Sequence, residues 1–419
     1  MTLHRVIAKT AAETTLAEQF AAVADPSAER AAAFAAFAAA GLPTRRDEAW
    51  HYTDLRSALA NAAPLANAPD ADGIEAARAA LAARPRVGDV RFVLVDGHYV
   101  AELSDAAPAG LSVEPIAEWA RAGRADAVIA LNDAFARGGL FMELAENLRL
   151  VERIEIAHLT NVGGPLATYS HVELHLGAGA RASVHESFYG ATSGTQRNAL
   201  LFLSLGEGAR VDLTGLIDDY AGLHLESQIA SLAADAEFNA FALVAGGALA
   251  RRQVFAAHQG PRAKIALGGL ALLHGKRHAD NTLVVEHGAP SGQSREFFRH
   301  IVADEAVGVF QGKVIVKPRA QKTDGGMKSQ AILLSPNATM NNKPELEIFA
   351  DDVVCGHGAT VGALDPEQVF YLQARGIPRA EAEAMLLEAF GVEAIDRVGD
   401  ETIAEALRER MRAWLAARS

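Results

Sequence analysis

The chain has 419 residues and a formal net charge of −13, from 39 Lys and Arg against 52 Asp and Glu. That acid excess argues against a broad nucleic-acid surface, which needs clustered positive charge, and the half of the residues that are apolar argue against disorder. A lone cysteine, Cys355, rules out an intrachain disulfide, and Arg5, Lys9, Glu13 and Glu18 break up the first stretch, so the expectation is a soluble cytoplasmic protein with no membrane span.

Residues 11–40 are rich in alanine and predict a helix anchored by Phe20, Phe34 and Phe37, stopped by Gly41 and Pro43. The next ten residues gather charge and aromatic side chains, among them Arg45, Arg46, Glu48, Trp50, Tyr52 and Thr53. They read as a packed helix start or turn, with a partner-facing patch as the sharper alternative. Residues 55–90 are weakly specified, with a loop around Pro64, Pro69 and Asp70–Asp72. A strand is predicted at Val90–Val95. Residues 113–145 are predicted helical, with Trp119 and the Leu131–Leu144 segment as amphipathic faces. Residues 1–145 thus read as a mainly helical region.

Over residues 146–362 the period shortens to two, the signature of strands. Runs such as Ala167–Leu176, Ala182–Phe188 and Arg210–Leu216 are separated by turn residues. Turn pairs recur at Gly179-Ala180, Gly208-Ala209, Asp235-Ala236, Arg262-Ala263 and Gly288-Ala289, with the alanines 29, 27, 27 and 26 residues apart. A later series, Ala289, Ala306, Ala320, Ala338 and Val353, advances by about half that step. A flattened parallel β-helix, one strand on each broad face per coil, gives such spacings. A large β-sandwich is the alternative, and the crossover rule favours a right-handed coil. Residues 363–419 return to helix. Asp365 caps and Pro366 opens the first, which Gly376 ends; Arg379–Phe390 and Glu401–Leu415 follow, the last carrying Leu407, Met411 and Trp414. These read as a cap, because repeat arrays need covered ends.

The densest chemistry is Asp351–Thr360. Cys355 and His357 stand two apart, hence on one face of a strand. Together they could ligate a soft or borderline metal, or act as nucleophile and base; a buried thiol beside a turn histidine is the plainer reading. Two ligands do not close a site, so a metal held here needs a partner chain or cofactor sulfides. His171 and His175 around Glu173, the pair His274 and His278, His185 and His300 read as packing. The chain has no GxGxxG, Walker A, GxSxG, HExxH or CxxC pattern. Asp324, Glu345 and Glu347 keep a β-helical carbohydrate-active enzyme in view, and a purely structural repeat protein is the third class. Asn337, Asn341 and Asn342 suggest a polar turn stack.

Several stretches carry a resemblance: Arg45–Thr53, Gly308-Val309-Phe310-Gln311-Gly312-Lys313, Gln321-Lys322-Thr323, Asn341-Asn342-Lys343-Pro344, and Tyr371-Leu372-Gln373-Ala374-Arg375-Gly376-Ile377. Through them the chain resembles the SufB/SufD family of iron–sulfur cluster assembly proteins, and within it the SufD branch. The resemblance implies a right-handed parallel β-helix between helical regions, and a non-catalytic scaffold that pairs with SufB. It implies docking of the SufC ATPase on the C-terminal helices, placed at Tyr371, Leu372, Arg375, Gly376, Ile377 and Leu386. It also implies sulfur arriving indirectly from SufE–SufS, reduced flavin on the complex, and a homodimer when the chain is isolated. A nascent, transient iron–sulfur cluster is expected at the SufB interface, with His357 as ligand and Cys355 as either ligand or packed thiol. SufB carries further cysteines; this chain has one, which disfavours an autonomous cluster scaffold.

Overall fold

The computed structural model describes residues 9–24, 26–116, 126–160, 164–190, 192–218 and 222–417. Its organising feature is the register between strands that are neighbours in space but a full coil apart in sequence. Arg181 pairs with Arg210, Arg210 with Glu237, Glu237 with Lys264, Lys264 with Gln293, Gln293 with Asp324, and Asp324 with Val354, all parallel. The intervening strands stack in the same way on the other face. The described strands thus form one ten-stranded and one nine-stranded sheet, and the chain alternates between them. This is a parallel β-helix with helices toward both termini, as the alanine spacings predict.

The corners explain those spacings. Gly179, Gly208, Asp235, Arg262, Ser291 and Lys322 all adopt left-handed backbone angles, with φ between 59° and 68°. Gly and Asp suit that region. Four of the five predicted turn pairs fall on this column. The fifth is displaced: the corner after His287 spans residues 288–292, against 206–209 earlier, and its left-handed residue is Ser291. Inside the coil, Ile154, Val172, Leu201, Leu213, Phe238, Leu267, Leu283, Phe298 and Phe310 belong to one buried cluster. Each large side chain so buried stabilises by roughly 1.5–3 kcal/mol, and no single coil could bury its own.

The first third differs from expectation in several places. The predicted helix over 11–40 is two helices, Ala11–Ala21 and Ala28–Ala40, because Pro26 interrupts the run and Ser27 caps the second. Phe20 stacks on Phe34 at 4.2 Å across the break. Asp70 is a cap rather than a loop residue; its carboxylate accepts from Gly73 N at the start of Ala71–Ala82. Within 113–145 only Ala127–Phe135 is α-helical among the described residues, while Leu111–Ile116 and Gly139–Leu144 are strands. Leu140, Met142 and Leu144 are buried at alternate positions, so the period there is two. Trp119 lies outside the described residues. Val90–Val95 is a strand as predicted and pairs with Ile154–Leu159.

The Arg45–Thr53 segment is strapped to the nine-stranded sheet. Trp50 is buried with the Arg251 guanidinium 3.7 Å over its ring. Ala49 O accepts from Arg251 Nη2 at 2.7 Å and Gln311 Nε2 at 3.1 Å. Thr53 Oγ1 donates to Asp280, which also pairs with Arg251, and Glu48 pairs with Lys343. The packed-turn reading holds for Trp50 and Thr53, whereas Arg45 and Arg46 face solvent. Removing one member of a buried pair such as Arg251–Asp280 typically costs about 3–5 kcal/mol.

The C-terminal helices Pro366–Gln373, Arg379–Ile395 and Glu401–Ala416 do not cover the end of the array. They lie on the outer face of the ten-stranded sheet, where Leu387, Ile395, Leu407, Met411 and Trp414 meet Phe241, Leu243, Leu270, Phe297 and Ile301. Those sheet positions point outward and are apolar, so that flank needs a cover more than the end does. The last coil, Thr339–Ile348 and Val354–Gly362, stays open.

Candidate functional site

The open end is built by one strand. Val354–Gly362 pairs on one side with Asp324–Leu333 and, among the described residues, has no strand on its other edge. Strand alternation sends Cys355, His357, Ala359 and Val361 toward the axis, and Gly356, Gly358 and Thr360 outward. Cys355 is half-buried and packs against the interior cluster. Its neighbour in register is Gly325, where an added Cβ would sit 3.4 Å from Cys355 Sγ and 3.5 Å from Ser294 Oγ. A methyl group there would make ordinary contacts with the thiol and the hydroxyl. Burial pushes the Cys355 thiol up, Asp324 and Glu296 add to this, and a backbone contact with Gly325 opposes it.

His357 stands in register with Met327 and is exposed, because no further coil covers it. An added Cβ at Gly356 or Gly358 would meet nothing within 4 Å. The two expected ligands therefore share a face, as their spacing requires, at a place a second molecule can reach. Among the described residues no group of three or more His, Cys, Asp or Glu is arranged to hold a metal ion. Cys355 and His357 can fill at most part of a coordination shell.

Below this pair lies Glu296, with both carboxylate oxygens buried and unpaired. Burial pushes it up to about 8. The unfolded carboxyl ionises near 4.5, so between these values the folded chain holds one more proton. Stability therefore falls as pH rises through that window and levels off above it. Glu296→Gln is expected to remove this slope, with a gain in melting temperature that grows from about pH 5 to about pH 8. Calorimetry across that range reads it; parallel pH dependences for the two proteins would contradict it.

The other histidines singled out from the sequence sit among neighbouring side chains. Glu173 Oε1 lies 3.5 Å from His171 Nε2 and Oε2 3.3 Å from His175 Nε2. Burial opposes the ionisation of Glu173, yet the two imidazoles pull it to about 2. His278 Nε2 sits 2.9 Å from Thr53 Oγ1, and His185 Nδ1 2.8 Å from Thr214 Oγ1. The carboxylates of a carbohydrate enzyme are not assembled. Asp324 pairs with Arg295 on one sheet, while Glu345 pairs with Lys343 and Glu347 with Lys313 on the other. Asn341 and Asn342 lie in a strand rather than a turn stack, and Asn342 Oδ1 accepts from Ser329 Oγ at 2.6 Å.

On the C-terminal helices Tyr371 is exposed, with the Arg375 guanidinium 3.5 Å over its ring. Gly376 ends that helix at φ +85°, and Ile377 N donates to Leu372 O at 3.3 Å. Leu372, Ile377 and Leu386 are half-buried, and Leu387 rather than Leu386 enters the core. Sequence reasoning missed the exposed Phe370 and Met385 beside them, and Phe349, Val354 and Val361 at the open end. The available signal was apolar residues at positions out of phase with the buried ones.

Residues 158–390 match the family model described as SUF system FeS cluster assembly, SufBD core domain. The chain is 32% identical over 381 residues to the iron–sulfur cluster assembly protein SufD of Escherichia coli K12, covering 88% of this chain and 89% of that one. It is 27% identical over 395 residues to an iron–sulfur cluster assembly SufBD family protein of Synechocystis, covering 88% and 86%. Over 201 residues it is 33% identical to the chloroplastic protein ABCI7 of Arabidopsis thaliana, 47% of this chain and 42% of that one.

Proposed function

The chain belongs to the SufB/SufD family of iron–sulfur cluster assembly proteins, and on that premise we propose that it is a non-catalytic scaffold subunit whose open β-helix end pairs with SufB and shares a nascent cluster with it. The observation that carries this is the uncovered last coil. A nine-residue edge strand with free backbone groups is a template for another chain. Around it Phe349, Val354 and Val361 are 60%, 73% and 47% exposed, and isolated proteins seldom leave such an edge bare. The same strand brings His357 and Cys355 to the boundary. An imidazole and a thiolate suit iron, and the missing ligands come from SufB.

The cluster is cargo, delivered onward, so an incomplete ligand set on each chain suits the task. SufC docks on the exposed face of the C-terminal helices, and sulfur from SufE–SufS reaches this chain only through the complex. No helix of the described residues is long and apolar enough to cross a membrane. A cytoplasmic assembly is part of the proposal. Any reduced flavin belongs to the complex.

Charging the open end tests the pairing. Val361→Lys and Phe349→Asp are expected to weaken copurification with SufB by about tenfold or more while leaving SufC capture in place. Undiminished SufB recovery would place the partner surface elsewhere.

A further inference from the structure

Beside the same end strand lies a recess of about 520 Å³, bounded by the last three strands of the ten-stranded sheet and by the Arg379–Ile395 helix with the turn after it. Gly326, Gly356 and Gly358 form its floor, with Gly326 and Gly356 in register. Glycine inside a strand is destabilising by roughly 0.5–1 kcal/mol relative to alanine. The Arg295 side chain lies over Gly326, where an added Cβ would meet its Cδ at 3.5 Å, while Gly356 and Gly358 are open; outward glycines mark a place where something approaches the backbone closely.

The walls are cationic. Arg397 Cζ sits 3.9 Å over the Phe297 ring and Lys328 Nζ 5.9 Å from its centroid. Neither enters an ion pair among the described residues. Two further cations nearby are neutralised, Arg295 by Asp324 and Arg299 by Glu393. Four basic groups stand against three carboxyl groups, Asp324, Glu393 and the lining Glu296, which leaves an excess of at least one positive charge in a chain that is −13 overall. Two cations held together on one aromatic ring repel each other unless an anion joins them.

We propose that this recess binds a small oxyanion of the phosphate or carboxylate class, gripped by Lys328 and Arg397 over the bare glycine backbone. Its size admits an inorganic ion or a compact organic acid. Arginine and lysine together favour oxygen-rich anions through charge-assisted hydrogen bonds. The recess also borders His357, but its grip is assigned to Lys328 and Arg397, so it stands whether or not His357 ligates iron.

The test uses the full chain at low ionic strength, with calorimetric titrations of inorganic phosphate and, separately, of citrate. One-to-one binding of at least one probe is expected. Binding of phosphate alone assigns a phosphoryl ligand, and binding of citrate alone a polycarboxylate. Lys328→Gln with Arg397→Gln should weaken it about tenfold or more. Gly358→Ala should weaken it likewise without lowering the melting temperature, since the added Cβ meets no neighbour. Titrating the isolated chain, with no SufB, iron or sulfide present, keeps this result separate from the cluster-ligand reading. Binding unchanged in the charge variants overturns the proposal. So does the absence of millimolar binding of either anion, including the case in which Lys328→Gln and Arg397→Gln instead reduce capture of a partner with an acidic surface.

Discussion

Truncating the chain after Gly362 is expected to leave no soluble folded protein. The last two helices place Leu387, Ile395, Ile403, Leu407, Met411, Trp414 and Leu415 against Phe241, Leu243, Leu270, Leu272, Phe297 and Ile301. At roughly 1.5–3 kcal/mol per buried side chain, losing this layer removes more than the typical net stability of about 5–15 kcal/mol. It would also bare an apolar sheet face prone to aggregation. Deletion therefore cannot report on ATPase docking; point changes on the solvent side can. Phe370 and Tyr371 are 70% and 56% exposed, so Phe370→Ala and Tyr371→Ala should leave the melting temperature almost unchanged. If they anchor SufC, each should weaken its capture by roughly thirtyfold, as for a typical interface hot spot. Soluble expression of the truncated chain with a cooperative melt would contradict the packing argument. Full SufC binding by the double variant would move the docking surface.

What the sequence made legible follows from which interactions are local. The coil repeat was readable because Gly179, Gly208, Asp235 and Arg262 must each occupy the same corner conformation, and corners leave a compositional trace. Cys355 and His357 could be placed on one face from their spacing alone. The Leu131–Leu144 segment misled because Leu140, Phe141 and Met142 are all apolar, which suits a helix face as well as a strand buried at alternate positions. The break at Pro26 was hidden by the alanine on both sides of it. The strap was beyond reach for another reason: Ala49 meets Arg251 and Gln311 across 202 and 262 residues, and nothing in a window of ten residues reports such contacts. Whether the C-terminal helices close the end or cover the flank likewise depends on which sheet face is apolar outside, and that becomes visible only once the coils are stacked.

His357 is the residue on which cluster assembly should depend. It is exposed, flanked by two glycines with open space around them, and touches no core cluster, so His357→Ala should fold normally and still pair with SufB and SufC. Cys355 packs against the interior, and Cys355→Ser should retain partial function if packing is its main role. The direct measurement is anaerobic reconstitution of the purified complex, with bound iron and acid-labile sulfide counted per complex for both variants. His357→Ala is expected to retain both partner chains while losing iron and sulfide together by about tenfold or more, as when a metal ligand is removed. Normal iron and sulfide in His357→Ala alongside loss in Cys355→Ser would contradict the assignment, and loss of metal only because the pair with SufB no longer forms would make the histidine a structural residue.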